Sequence, residues 1–257
     1  MNQSFYTGAL GAMAQQAGMN VVSSNIANVN TVGYKAQAGT FSDLMYAQVR
    51  SAEGGNGAKT GSGTVMNGIK TDLSAMAYNT TNGQYDYAIE GEGFFMLKDP
   101  ITEEITYSRD GNFHLSESGD QFYLVNNSGK RVLNMDQEEI SWDVKEATYP
   151  GDDTEDEEDD EEEIGEDEHD PRAVGVYTFA VRDGIEGVGD NEFAVTVKNG
   201  DPILLENAGV VKGALEESGA DFAQEMTRMI EAQRAYSYAL KMIQTSDEIE
   251  AKINELR

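Results

Sequence analysis

The first 34 residues of the chain carry no charged side chain, although the whole chain of 257 residues has a formal net charge of -29. Within this stretch, residues 3–27 have a helical pattern in which one seam recurs at alternating spacings of four and three. The seam positions are Phe5, Ala9, Ala12, Gln16, Met19, Ser23 and Ile26. Three glycines weaken the helix, each by about 1 kcal/mol relative to alanine, and a lone helix of this length is marginal in water. We therefore expect it to need a partner helix, in a crowded layer where unpaired charges would be costly.

A second helix is predicted at the other end of the chain. Ser218 and Asp221 form a variant of the capping box that marks a helix start. The stripe that follows has the same four–three spacing and consists of Phe222, Met226, Met229, Gln233, Tyr236, Leu240 and Ile243, before it shifts to Ile249, Ile253 and Leu256. At about 1.5 Å per residue this helix would be roughly 57 Å long, longer than a compact β domain. We expect its apolar stripe to be covered by the N-terminal helix, by neighbouring copies of the chain, or by both.

Between the first helix and the rest of the chain, the sequence predicts a helix stop followed by a turn. Asn28 and Asn30 tolerate left-handed backbone geometry, and Gly33 permits a tight turn. We interpret residues 25–35 as an elbow that joins the first helix to outer structure; a generic capped helix end is the alternative. Residues 35–75 are predicted to form an extended, flexible connector, because residues 53–64 contain five glycines.

The middle of the chain, residues 76–213, has the period-two pattern of β-strands. Tyr85, Tyr87 and Ile89 alternate with polar or small residues. Asp110-Gly111 and Ser128-Gly129 predict turns, and the strand pattern resumes later in VYTFAV, EFAVTV and ILLENAGVV. The predicted fold class is α+β. Terminal helices in residues 1–34 and 214–257 would pair as a coiled coil or bundle, with an all-β domain between them.

An acidic insertion interrupts the predicted β domain at residues 152–170. It contains 15 acidic residues and no Lys or Arg. The simplest interpretation is a self-repelling external loop. A divalent-cation site is the alternative, but an EF-hand register that uses Gly165 places Ile164 where an oxygen ligand belongs.

Composition argues against several classes of function. Cysteine is absent, which excludes disulfides and thiolate metal sites, and a sequence pI near 4.2 disfavours nucleic acid and anionic lipid as partners. No Lys or Arg precedes Lys35, so no secretory signal is expected, and polar residues break the first apolar stretch too often for a membrane span. No phosphate-binding, nucleophile-elbow or zinc-protease motif occurs, and His114 alone does not indicate catalysis. We expect no enzyme activity, no cofactor and no metal.

Four segments resemble the axial proteins of the bacterial flagellum, the family of rod, hook and hook-associated proteins. Residues 25–35, NIANVNTVGYK, are similar to the family's N-terminal signature. Residues 88–95, AIEGEGFF, and residues 107–113, YSRDGNF, resemble two of its β segments. The C-terminal segment that contains MTRMIEAQRAYSYALKM resembles its closing helix. The stretch SGAD at residues 218–221 departs slightly from the family's usual S-N-V-D, and the acidic insertion has no counterpart in the family pattern.

The resemblance implies a building block of a helical tube. In this family the terminal helices form an inner tube, the β domain forms an outer layer, and subunits leave the cell unfolded through a dedicated export apparatus. The implied partners are further copies of the chain, adjacent rod and hook proteins, and that apparatus, in the flagellar basal body. Chain length and the residues around Tyr107 favour the distal part of the rod over the proximal rod or a short hook subunit. A secreted adhesin that binds cations or glycans and trimerises through its helix is the more remote alternative.

The residues expected to serve assembly and packing fall in two groups. The elbow contributes Asn25, Asn28, Asn30, Thr31, Gly33 and Tyr34, and the closing helix contributes the seven stripe positions from Phe222 to Ile243.

Overall fold

A computed structural model describes residues 3–48, 59–143, 173–182, 184–205 and 208–256. The chain divides into two compact units. The helical unit comprises Met1–Asn30, Lys35–Asp72 and Gly219–Arg257, and the β unit comprises Thr31–Tyr34 and Leu73–Ser218. Helices and a large sheet are therefore both present, which confirms the α+β class. The acidic insertion at residues 152–170 lies outside the described residues.

In the part of the helical unit that the structure describes, there are two long helices and four strands. Helix α1 spans Gln3–Ala27 and helix α2 spans Phe222–Glu255. Strands β1 and β4 span Gln37–Asp43 and Thr64–Thr71, and the short strands β2 and β3 span Ala47–Gln48 and Lys59–Thr60. Neither helix is long and apolar enough to cross a membrane.

Helix α2 begins later than the capping box predicts. Its N-cap is Asp221, whose side chain accepts a hydrogen bond from the backbone N–H of Gln224 at 3.0 Å. Asp221 has an extended backbone, and a carboxylate at this position binds an otherwise unsatisfied N–H at the positive end of the helix dipole. The cap predicted at Ser218 was therefore misplaced by three residues. The helix has 34 residues and is about 51 Å long.

Strands β1 and β4 form an antiparallel ladder inside the segment that the sequence predicted to be a connector. Gln37 pairs with Thr71 and Asp43 with Thr64, with a bulge between Thr40 and Phe41. The strand pattern had no visible period, because QAGTFSD combines small and polar residues with one aromatic residue. Both strands contact α1, so that the first part of the segment belongs to the helical unit rather than to a free linker.

The described residues of the β unit form 14 strands. They are β5 (Tyr78–Thr80), β6 (Tyr87–Glu90), β7 (Phe94–Lys98), β8 (Ile105–Ser108), β9 (His114–Ser118), β10 (Gln121–Val125), β11 (Arg131–Val132), β12 (Ser141–Asp143), β13 (Val176–Thr178), β14 (Glu186–Gly189), β15 (Glu192–Ala194), β16 (Ile203–Leu204), β17 (Gly209–Lys212) and β18 (Ala214–Glu216). Ten of them form one antiparallel sheet with the main order β12-β10-β11-β7-β8-β15-β14. Two separate pairs are β6 with β17 and β5 with β18. Each pair brings a strand from the beginning of the unit's sequence against a strand from its end.

Strand β7 lies at the centre of the core. Phe95 and Leu97 belong to one cluster of buried residues, and Phe94 and Met96 belong to a second cluster. Because successive side chains of a strand point to opposite faces, the sheet is covered on both sides at this strand. This explains why FFML reads as a continuous apolar run rather than an alternating one.

Candidate assembly interface

Helices α1 and α2 pack side by side in antiparallel directions. The hydroxyls of Ser4 and Ser246 are 3.1 Å apart, while further along the pair Gly11 lies opposite Ala239. At Gly8, a methyl group would come within 3.1 Å of the Ile243 side chain and 3.4 Å of the Ala239 carbonyl oxygen. The absence of side chains at these glycines therefore permits the helices to approach closely.

The stripe predicted on α2 coincides only partly with its α1-facing seam. Met229, Tyr236 and Ile243 are half-buried and alternate at four–three spacing with the buried Glu225 and Ser246 and the half-buried Ala232 and Ala239. The other predicted positions are exposed: Met226, Gln233 and Leu240 each lie one residue after a seam position, and Phe222 lies three residues before Glu225. The α1 residues that contact α2 include Ser4, Gly8 and Gly11, none of which belongs to the predicted α1 seam.

Apolar side chains also remain uncovered on α2. Phe222, Met226 and Ile230 are 40–53% exposed at its beginning. Since Ser4 lies beside Ser246, the final turns of α2 extend past the described start of α1. These turns expose Ile249, Ile253 and Leu256 by 54%, 58% and 88%. A soluble monomer seldom exposes so many apolar side chains along one element without a partner surface.

Asn25 fixes the end of α1 to the start of β1. Its side-chain amide donates to the carbonyl oxygen of Gln37 at 2.7 Å and accepts from the N–H of the same residue at 2.9 Å. Asn25 is fully buried, and this two-way bond satisfies both ends of its amide. Asn28 closes the last turn of the helix, because its side chain and its backbone N–H both donate to the Ser24 carbonyl.

The elbow turns at Gly33, where the backbone has a φ of +63°. A methyl group at this position would lie 2.5 Å from the carbonyl oxygen of Arg109, so the turn leaves no room for a side chain. The N–H of Gly33 donates to the Glu216 carbonyl at 2.9 Å, and the carbonyl of Val32 accepts from the Asn191 side chain at 2.7 Å. Residues 31–34 are thus held within the β unit by both backbone and side-chain bonds.

Beneath the elbow lies a buried ion pair between Arg109 and Glu216, with 3.1 Å between Nη1 and Oε2. Both side chains are at most 2% exposed. Arg109 also donates to the carbonyl of Gly91, and Glu216 accepts from the N–H of Met76. Burial lowers the pKa of Arg109, and the adjacent charge of Glu216 acts in the opposite direction. A buried pair with these additional bonds positions the turn against which Gly33 packs.

The sequence did not identify the elbow's partners in the β unit. Arg109 lies in the YSRDGNF segment. Its position between a buried strand and a turn was the sequence feature that could have indicated its role. Asn191 and Glu216 carry no such signal, because their contacts with the elbow join residues far apart in the chain.

The remaining elbow residues show no special backbone geometry. Asn30 is exposed, while Thr31 and Tyr34 are half-buried and joined by a backbone hydrogen bond of 3.3 Å. Among the described residues, only Gly33 of this segment has a positive φ. The described residues also contain no cluster of His, Cys, Asp and Glu that could hold a metal ion, and His114 is an exposed residue of β9.

Three protein families match separate parts of the chain. "Flagella basal body rod protein" matches residues 5–35, which cover α1 and the elbow. "Flagellar hook protein FlgE/F/G D1 domain" matches residues 88–154, and "Flagellar basal body rod FlgEFG protein C-terminal" matches residues 211–256.

Several curated proteins are similar to the chain over its full length. The flagellar basal-body rod protein FlgG of Bacillus subtilis (strain 168) is 32% identical over 275 residues, which cover 100% of both chains. FlgG of Buchnera aphidicola subsp. Acyrthosiphon pisum (strain APS) is 31% identical over 278 residues, again with 100% of both chains covered. The rod protein FlgF of Mesorhizobium japonicum is 27% identical, with 100% of this chain and 98% of the relative covered.

Proposed function

Because the chain belongs to the flagellar basal-body rod protein family, we propose that it is a structural subunit of the distal rod. It self-assembles into a helical tube that acts as the drive shaft of the flagellum. The observation that carries this proposal is similarity over the full length to proteins named as FlgG, at 30–32% identity in several bacteria. The role is mechanical, and the similar proteins are named as rod proteins rather than as enzymes.

The uncovered apolar residues support assembly through the terminal helices. In the single chain, α1 covers only one seam of α2, and the remaining apolar positions face solvent. Copies that bury these faces against one another would form a coiled coil or bundle of more than one chain. A contact between two different faces can add further copies, and it produces an open helical filament when the rotation between copies does not close a ring.

The elbow is anchored in the β unit of each subunit. The chain enters this unit at residues 31–34 and then returns to the helical unit. The elbow residues are bound through Gly33 and Val32, and the buried pair Arg109–Glu216 fixes the turn beneath them.

The proposed partners are other copies of the chain, the adjacent rod and hook proteins, and the flagellar export apparatus. The location that follows is the flagellar basal body. The lack of cysteine suits a chain that must cross the envelope unfolded, since oxidative cross-links cannot form on the way.

A proximal-rod subunit is the second candidate, and the 27% identity to FlgF is the observation that favours it. The higher identity to FlgG places the distal rod first. The full-length match to rod proteins disfavours a trimeric adhesin, which would have no need for the elbow and the paired α1.

Deletion of the gene from the source bacterium tests the proposal. We expect non-motile cells whose purified basal bodies have rods that end before the hook, and we expect a plasmid copy of the gene to restore complete structures. Complete hook–basal bodies in the deletion strain would refute a rod function. Rods that end at the proximal segment would support the distal assignment, whereas loss of the proximal segment as well would support the second candidate.

A further inference from the structure

The helical unit contains a cavity of about 440 Å³ beside the first half of α2. Its walls come from α1 at Gln15 and Gly18, from β1 at Phe41, and from α2 at Glu225, Arg228 and Glu231. Ligand pockets generally have volumes of about 300–1,000 Å³, so there is room for a large side chain. Two carboxylates and one guanidinium line the cavity, and their formal charges sum to -1. The cavity therefore favours a cation.

Glu225 is the residue that most requires a partner in this cavity. Its side chain is only 2% exposed, and its Oε1 accepts from Nη1 of Arg228 at 2.6 Å. Its other oxygen, Oε2, is buried and has no hydrogen-bond partner within the described part of the chain. A buried carboxylate oxygen without a donor is costly, and native structures rarely leave one unsatisfied.

The same helix carries a suitable donor on its opposite face. Arg234 is exposed and has no hydrogen bond or ion pair to any other described residue. By contrast, Lys252 is paired with Glu255, and Lys241 lies over the ring of Tyr238. Nine residues separate Glu225 from Arg234, which is about two and a half turns, so their side chains leave opposite sides of α2 about 13.5 Å apart along its axis.

We propose that Arg234 of one copy of this chain inserts into the cavity of the next copy and donates to Oε2 of Glu225. The guanidinium supplies the missing donor, and its charge complements the net charge of the cavity. Since the donor and the acceptor lie on opposite faces of one helix, the contact leaves a free Arg234 at one end and a free cavity at the other. It can therefore repeat from copy to copy, and it builds an open filament when the rotation between copies does not close a ring. This inference rests on the proposed assembly function and identifies one contact within it.

A double-mutant cycle tests this contact. We would measure the critical concentration for polymerisation of the purified full chain for wild type, Glu225→Gln, Arg234→Gln and the double variant. Each single variant should raise the critical concentration about tenfold, because close charge pairs at interfaces have coupling energies of at least this size. The double variant should also raise it only about tenfold, since either change already removes the contact. A roughly hundredfold effect in the double variant, or no effect of Arg234→Gln, would overturn the proposal.

Two controls separate the proposed contact from general damage. Arg234→Gln should leave the monomer's free energy of unfolding unchanged, whereas Glu225→Gln should lower it because Glu225 also binds Arg228. Lys241→Gln changes a neighbouring cation on the face of Arg234 and should leave the critical concentration near that of wild type. Wild-type protein that forms no polymer would contradict the proposed assembly function itself. A wild-type polymer with independent effects at the two positions would contradict only this contact.

The lack of cysteine permits a second test. In the variant Glu225→Cys/Arg234→Cys, the two thiols of one chain are too far apart for a disulfide, which requires Cα atoms within about 7 Å. Because the Arg and Glu side chains together also span more than a disulfide allows, the polymer is treated with a flexible bismaleimide cross-linker, which should produce a ladder of covalent dimers, trimers and longer chains, while each single-cysteine variant should give no ladder. A double-cysteine polymer that produces no ladder would refute the contact.

Discussion

At the scale of single residues, Gly33 is the position where the elbow tolerates the least change. Its φ of +63° is unfavourable for any residue with a Cβ, and the Arg109 carbonyl occupies the space that a methyl group would need. Relief of that overlap would require the elbow to move off the turn at Arg109. The hydrogen bond from Gly33 to Glu216 would be lost in the process.

We predict that Gly33→Ala lowers the free energy of unfolding of the β unit by about 2–4 kcal/mol, from the combination of backbone strain and steric overlap. Urea denaturation followed by tryptophan fluorescence would report it, because Trp142, the one tryptophan, packs against the core of this unit. Gly119→Ala is the matched control. Gly119 has a similar φ of +74° but no atom near its missing side chain, so its effect should be about 1 kcal/mol. Equal effects at the two positions would show that the contact with Arg109 is unimportant.

The burial of Tyr107 leads to a prediction for the free energy of unfolding of the β unit at alkaline pH. Burial raises the pKa of Tyr107 from 10.0 to about 12, with a smaller contribution from Tyr177. The neutral phenol is favoured in the folded state, so its contribution to stability is complete below pH 10 and is lost as the pH rises from about 10 to about 12. The free energy of unfolding of wild type should therefore fall relative to that of Tyr107→Phe when both are measured at about pH 8 and about pH 11. Parallel behaviour of the two proteins would contradict this assignment.

At the scale of elements, the glycines of α1 have different roles in its contact with α2. A methyl group at Gly8 would press on Ile243, whereas at Gly11 its nearest neighbour would be the Ala239 methyl group at 4.0 Å. Helical alanine is favoured over glycine by about 1 kcal/mol. Gly11→Ala should therefore stabilise the helical unit by up to about 1 kcal/mol, and Gly8→Val should destabilise it because the helices must separate. Thermal unfolding followed by far-UV circular dichroism would measure both, and stabilisation by Gly8→Val would rule out the close contact.

The helices also show what could be predicted from the sequence. The bounds of α1 and the presence of α2 followed from periodicity and charge, and the pairing of two matched stripes indicated that the helices lie together. The register was one residue off for a physical reason. Helix α2 has apolar residues on more than one face, and the α1 residues that contact it include serine and glycine, which give no hydrophobic signal.

Strands β1 and β4 and the partners of the elbow could not be predicted for a different reason. Strand β1 shows no alternation of apolar and polar residues that would predict a strand. The hydrogen bonds from Gly33 to Glu216 and from Asn191 to Val32 join residues that are distant in sequence. Such contacts depend on the folded topology of the β unit. The family resemblance indicated that the elbow and the YSRDGNF segment matter, but not that they touch each other.

At the scale of the whole molecule, the chain exposes apolar side chains that neighbouring copies would bury. The apolar side chains in the last turns of α2 are uncovered, and Ile253 is 58% exposed. We predict that Ile253→Asp leaves the monomer's free energy of unfolding within about 0.5 kcal/mol of wild type, as for an exposed site, but prevents polymerisation. Sedimentation of polymer from purified protein would measure this. Glu250→Ser, in the same turns, is the control that should still polymerise, and polymerisation of Ile253→Asp would show that this end of α2 is not an interface.

Electron cryomicroscopy of hook–basal bodies purified from the source bacterium tests the central claim most directly, since it would locate the chain within the shaft. We expect this chain in the distal rod, with α1 and α2 antiparallel in each subunit and the exposed apolar face of α2 buried against neighbouring copies. Absence of the chain from the rod, or subunits whose terminal helices contact no other copy, would contradict the account.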